Sequence, residues 1–171
     1  KLLIDNKNMP KKDSNGDVIE DVNRIKDLKI VPCVMKDLQL LLYEHMESSK
    51  EKYGPFNQPA IMCSNIVYPK KDLDPLSNIS KIGNFISDKG FNNIIDTIKN
   101  GKDIKYNIIH DEFKDFFKLD VLSNYSTKIV QLIKNIEKSN GIVFVYSQFL
   151  NSGIIPIALA LEYMGYSKYG N

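Results

Sequence analysis

Apolar residues recur at helical spacing along most of this chain, then close up into one unbroken run near its end. From Ser126 onward, Ile129, Val130, Leu132, Ile133 and Ile136 share one face, which predicts a helix capped by Ser126. Earlier, Asp37 is placed to cap a helix with Leu38, Leu41, Leu42 and His45 or Met46 inward, stopping near Tyr53-Gly54-Pro55. Phe91, Ile94, Ile95 and Ile98 follow the same period, predicting a helix introduced by Gly90 and ended by Gly101. The run that breaks the period is Ile142-Val143-Phe144-Val145-Tyr146. Consecutive apolar and aromatic residues of this kind read as a strand covered on both faces, the habit of parallel sheets in α/β folds.

Ser139-Asn140-Gly141 turns the chain into that strand, and a last helix is predicted from Ser152 to Met164, closed by Gly165-Tyr166. Pro156 falls in its first turn, where a missing N–H costs little, and Ile154, Ile155, Ala158, Leu161 and Met164 form its packing face. Lys29 to Met35 is strand-like, with Pro32 arguing for an edge position. Residues 58–68 fit either a buried helix or a strand, and Pro69 ends them in both cases. Residues 1–29 read as a loop or hairpin turning at Asp13-Ser14-Asn15-Gly16, and residues 69–82 as a polar linker. Asp111 to Leu119 is a short amphipathic piece carrying Phe113, Phe116 and Phe117. The balance is several helices and a single convincing inner strand. Such a strand has nothing to pair with here, and unpaired buried backbone is costly. The chain is therefore expected to be part of a longer polypeptide, and Lys1 in place of an initiator methionine fits that expectation.

Composition narrows the chemistry. At 171 residues the chain is long enough for one domain with a real core, and its formal net charge of +2 creates no strong field toward nucleic acid or membrane. Arg24 is the only arginine, so bidentate guanidinium clamps can come from nowhere else in this sequence. Cys33 and Cys63 lie far apart in no metal-binding spacing and read as reduced structural thiols. No apolar stretch approaches the length of a membrane span, so no membrane partner is expected.

No GxxxxGK phosphate loop, HExxH, GxSxG or GxGxxG occurs. His45 and His110 lack ligand spacing and read as helix-border residues, and Asp111-Glu112 as first-turn charge complementing a helix dipole. Lys11-Lys12 and Lys70-Lys71 read as solvated loop lysines before they read as phosphate contacts. Tyr146, Ser147 and Gln148 are different because position gives them a role. In open α/β sheets ligands gather at the carboxyl ends of strands, and a hydroxyl and an amide there can bond phosphate oxygens. Two readings stand side by side: nucleic-acid contact, or Ser147 capping the next turn with Gln148 facing solvent.

Tyr125-Ser126-Thr127-Lys128, the stretch from Gly141 to Phe149, and Ser152-Gly153-Ile154-Ile155-Pro156 through Gly165-Tyr166 together resemble the entry to the second RecA-like lobe of superfamily 2 helicases. More narrowly they are similar to the Snf2-like helicases of large nucleocytoplasmic DNA viruses, the group of the poxvirus early transcription factor small subunit and nucleoside triphosphate phosphohydrolase I. Val143 to Phe149 matches that family's motif IV. Met35, Gln39 and Tyr43 resemble its M-x-x-x-Q-x-x-x-Y element, and Ser64-Asn65 with Pro69 its S-N-x-x-x-P segment, which is helical in that group. Asp88-Lys89-Gly90-Phe91 is similar to the viral branch, so the likeness runs in consistent order over roughly residues 20 to 171.

The resemblance implies an α/β fold in which residues 1–122 finish the first lobe and form a helical inter-lobe region, while residues 123–171 begin the RecA-like C-terminal domain. It implies a parent ATP-dependent helicase or translocase on DNA or RNA, intracellular, serving viral transcription in a viral factory or virion. The parent would use ATP and Mg2+; this piece, lacking counterparts of the Walker A lysine, the DExH carboxylates and the QxxGRxxR arginines, is expected to bind neither and to be inactive alone. Tyr146, Ser147 and Gln148 carry over as nucleic-acid contacts. Two other classes compete. One is a non-catalytic helical interaction module ending in a βα unit; the other is a sugar-nucleotide enzyme with a Rossmann-like lobe, which would need a further strand and a diphosphate loop.

Overall fold

The computed structural model describes residues 12, 15–18, 29–48, 58–72, 79–101 and 103–169. Compact packing divides the chain into two units, Lys1–Pro32 and Cys33–Asn171. In the first, Lys12 and Val18 form an antiparallel bridge around a turn with Gly16 at φ +90°, so the hairpin alternative holds there. Residues 29–36 form no strand; the strand-like expectation for Lys29 to Met35 fails, and Ile30 and Val34 are exposed. A short apolar run with a proline and no neighbouring strand among the described residues has no ladder to join.

The second unit contains α1 (Asp37–Ser48), α2 (Gln58–Asn65), α3 (Ser87–Phe91), β1 (Ile95–Asn100), β2 (Asp103–Ile108), α4 (Leu119–Leu122), α5 (Thr127–Glu137) and α6 (Ile155–Tyr163). Short tight turns precede α3 at Ile79–Asn84 and follow β2 at Asp111–Phe113. A wide turn at Leu150–Ile154 leads into α6. None of the described helices is long and apolar enough to cross a membrane. The architecture is mixed α/β, six helices and a two-stranded antiparallel sheet among the described residues.

Two apolar clusters hold this unit. Ile66, Tyr68, Phe91, Ile94, Phe116, Leu122, Ile129, Ile133 and Ala160 belong to one; Leu42, Met46, Cys63, Val67 and Phe85 belong to the other. Tyr125 packs against both. Tyr68 is fully buried, edge-on to Phe91 at 5.8 Å and stacked on Phe116 at 5.9 Å. Gly90 is required where it stands, because a Cβ there would lie 2.5 Å from the Phe85 carbonyl carbon. One buried polar side chain ties three helices. Gln39 of α1 donates from Nε2 to the Cys63 carbonyl at 2.9 Å, and its Oε1 accepts from the Thr127 N–H at 3.3 Å. It thereby satisfies a terminal carbonyl of α2 and a first-turn donor of α5, groups that a helix leaves orphaned.

Several expectations hold. Ser126 caps α5, its Oγ accepting from the Ile129 N–H at 3.1 Å, and Ile129, Val130 and Ile133 are buried. Residues 58–65 are helical, Pro156 lies in the first turn of α6, and Gly165 closes it at φ +95°. The expected Asp37 cap is corrected: Asp37 is itself the first residue of α1, at φ +43°, and supplies first-turn charge, while the carbonyl of Lys36 before it accepts from the Leu40 N–H. The expected stop near Tyr53-Gly54-Pro55 lies outside the described residues, as do residues 73–78 of the linker.

Others are corrected. The helix predicted from Phe91 to Gly101 is instead the end of α3 followed by a hairpin, with Ile95 opposite Ile108, Thr97 opposite Tyr106 and Asn100 opposite Asp103. Its two-residue loop opens on Gly101 at φ +65°, which the primed hairpin turns demand. Ile94, Ile95 and Ile98 satisfied a helical period, but β-branched residues flanking Asn100-Gly101 are a hairpin signal, and cross-strand pairing prevailed. The inward face of α6 is also shifted. Pro156, Ile157 and Ala160 are buried, whereas Ala158 is exposed, because a helix that is apolar nearly all round does not specify its own face.

The larger correction concerns the single inner strand of the predicted parallel sheet. Ile142 to Tyr146 runs through without joining any sheet, and its backbone groups find no hydrogen-bond partner among the described residues. Val145 packs against the first cluster, whereas Ile142, Phe144 and Tyr146 face outward. The strand pattern is real, but a ladder needs a second strand, and none of the described segments supplies it.

Candidate nucleic-acid interface

Three anchors fix the end of the extended segment. Tyr68 donates its hydroxyl to the Asn151 carbonyl, Asn151 Nδ2 donates to Asp88 Oδ1 at 2.8 Å, and the Ser87 N–H donates to Ser152 Oγ at 3.1 Å. The Leu150–Ile154 turn is thus pinned to α3 and to the core tyrosine. Tyr68 is fully buried, and that burial holds its phenol well above the ordinary tyrosine range, so it stays a donor.

Ser147 is drawn into this turn. Its Oγ donates to the Phe149 carbonyl at 3.1 Å and accepts from the Phe149 N–H at 3.2 Å. A Cβ on Gly153 would come within 2.1 Å of that oxygen, so glycine is what lets Ser147 fold in. The hydroxyl proton is already committed, and one lone pair remains. Gln148 is exposed and Tyr146 is 80% exposed, free to meet a ligand. The three residues lie together at the carboxyl end of the extended segment, two facing outward and one shaping the turn.

Beside them runs a groove of about 260 Å3, lined by Phe144, Val145, Tyr146, Ser147, Ile157 and the α5 residues Lys128, Ile129 and Leu132. Asn65 and Gly153 complete it. Lys128 Nζ donates to Asn65 Oδ1 at 2.8 Å and to Ser64 Oγ at 3.1 Å. Partial burial draws its pKa below the ordinary lysine value, and nearby Cys33 pulls it the other way. Sequence reasoning did not single out Lys128 or Phe144 as site residues. The signal was present: Lys128 and Asn65 stand in two of the strings that carried the family likeness, 63 positions apart.

The remaining candidates lie elsewhere. His110 sits at the start of the Asp111–Phe113 turn, its ring 6.1 Å from Phe113, with Asp111 and Glu112 supplying first-turn charge. With Lys71 these residues line a shallow polar depression. His45 lies in the last turn of α1. Among the described residues no three His, Cys, Asp or Glu side chains converge as a metal ion requires. The sequence holds no GxxxxGK phosphate loop of the Walker type. Cys63 is buried, and burial pushes its thiol up to about 12. No protein-family model, curated protein or solved structure matches the chain.

Proposed function

We propose that this chain is the nucleic-acid-facing part of an ATP-dependent translocase of the superfamily 2 type. It contributes strand contact through Tyr146 and Gln148 and a link between lobes, while ATP hydrolysis is carried by other parts of the protein. The observation that carries the reading is the bare extended segment Ile142–Tyr146, with Val145 on the helical core, Ile142 and Phe144 outward, and Tyr146 and Gln148 presented at its carboxyl end. A segment apolar on both faces with unfilled backbone groups is what an inner strand of a RecA-like lobe looks like before its neighbours are added. In such sheets the carboxyl edge is where ligands bind. DNA or RNA fits that edge, and viral transcription is the setting the family likeness suggests.

The test is retention of a single-stranded oligonucleotide by the purified chain. Binding that weakens with salt, without ATP turnover, is expected, and Gln148→Ala in the full-length protein should weaken strand binding or its coupling to hydrolysis. No retention at low salt, or turnover that follows the chain through purification, would sink the reading. A second reading has one observation in its favour. The outward face of Ile142 and Phe144 (88% exposed) also suits protein docking by a non-catalytic interaction module. Phe144→Ser would then abolish a protein association and leave oligonucleotide binding untouched.

A further inference from the structure

Lys128 is a cation in a place that local electrostatics does not favour. It stands in the first turn of α5, where the helix dipole repels positive charge, and among the described residues no carboxylate pairs with it. Its hydrogen bonds go to two neutral oxygens, Ser64 Oγ and Asn65 Oδ1, which hold the ammonium in position without cancelling its charge. An ammonium has three donors, so one remains for a ligand. The same groove is walled by Phe144 and Tyr146 and floored by Ile129, Leu132 and Ile157, giving an apolar slot beside a fixed positive charge. At about 260 Å3 the slot is smaller than the roughly 300–1,000 Å3 clefts that hold whole small molecules. It suits one flat ring belonging to a longer ligand.

We infer that Lys128 holds a backbone phosphate of a single nucleic-acid strand while one base stacks against Tyr146 in the adjoining slot. The chemistry is complementary: a cation that no carboxylate pairs with among the described residues meets an anion, and an exposed aromatic face meets a π-face that every base carries. This deepens the function proposed above and rests on it, and it adds a residue and a binding mode. Ser64 and Asn65 act as positioning residues, because they aim the ammonium.

The experiment is fluorescence anisotropy of the whole chain with a labelled oligothymidylate of about 16 nucleotides, the upper end of single-strand site sizes, across a salt series. Lys128→Gln should lower affinity about tenfold and reduce the slope of log affinity against log salt by about 0.7, one single-strand phosphate contact. Lys128→Arg should restore both, and Tyr146→Ala should lower affinity about tenfold with the slope unchanged. Matching melting temperatures would show that the variants fold. If the wild-type chain binds and Lys128→Gln keeps its affinity and slope, the inference is overturned while the proposed function stands. If the wild-type chain does not bind at all, both fall. Competition by thymidine monophosphate as effective as by the strand would replace the strand with a free nucleotide and overturn the assignment.

Discussion

The β1–β2 hairpin and the Ile142–Ser147 segment are both extended and rich in β-branched residues, yet one is closed and the other open. In the hairpin every strand residue has a partner across the ladder, and Ile95, Tyr106 and Ile108 anchor its base on the core. Its two strands are joined by a two-residue loop, so the partner arrives at almost no entropic cost. The Ile142–Ser147 segment has a turn before it and a pinned turn after it, and neither brings another strand alongside. Propensity for an extended backbone is therefore common to both regions, and pairing is not. A strand is a property of two segments, and only the hairpin contains both.

The sharpest way to test that contrast is to remove one aromatic from the core under the hairpin, where Phe91 packs edge-on against Tyr106 at 6.0 Å, and one from the open segment. Phe91→Ala, which empties a core position beside Tyr68, should cost about 3–5 kcal/mol in chemical denaturation. Phe144→Ala should stay within about 0.5 kcal/mol, as expected for an exposed side chain. A loss above about 2 kcal/mol at Phe144 would show that the outward face is covered in solution, and the contrast would collapse. Next in size is Gly101→Ala, which forces a side chain into left-handed backbone and should cost about 1–2 kcal/mol. Hydrogen exchange at Ile98 and Lys105, a hydrogen-bonded pair of the ladder, should quicken in that variant, while Phe144 and Val145 exchange fast in every variant. Slow exchange at Phe144 in the parent chain would contradict an unpaired backbone.

A further test is read from pH. Burial raises the Cys63 pKa from 9.0 to about 12, so the folded state keeps its proton where the unfolded state has lost it. The stability this contributes is complete below about pH 9 and drains away as pH rises toward 12. Alkaline unfolding midpoints should therefore shift upward in Cys63→Ala relative to Cys33→Ala, normalised to each variant's neutral stability. Identical alkaline profiles would mean that Cys63 is not enclosed as the second cluster implies.

Much of the helical framework was legible. Ser126 followed by Ile129, Val130 and Ile133 carries its own cap and its own inward face, so α5 follows from short-range rules. The hairpin was legible too, through Asn100-Gly101, but the helical period of Phe91, Ile94 and Ile98 masked it. The face of α6 was not, because with apolar residues nearly all round only the surroundings choose Pro156, Ile157 and Ala160. Of the site, the position of Tyr146 and Gln148 beyond the apolar run was visible. The commitment of the Ser147 proton to Phe149 depends on Gly153 coming close, a contact no local pattern announces.

By itself the sequence determined the capped helix α5, the turn residues, the two-sided apolar run and the absence of a phosphate loop, because each depends on residues a few positions apart. Tertiary structure alone decided that the run stays unpaired, that Gln39 bridges α1, α2 and α5, and that Lys128 shares a groove with Tyr146. Those outcomes depend on which distant groups arrive side by side. Hydrogen bonds and charges act over a few ångströms of space, whatever the distance along the chain.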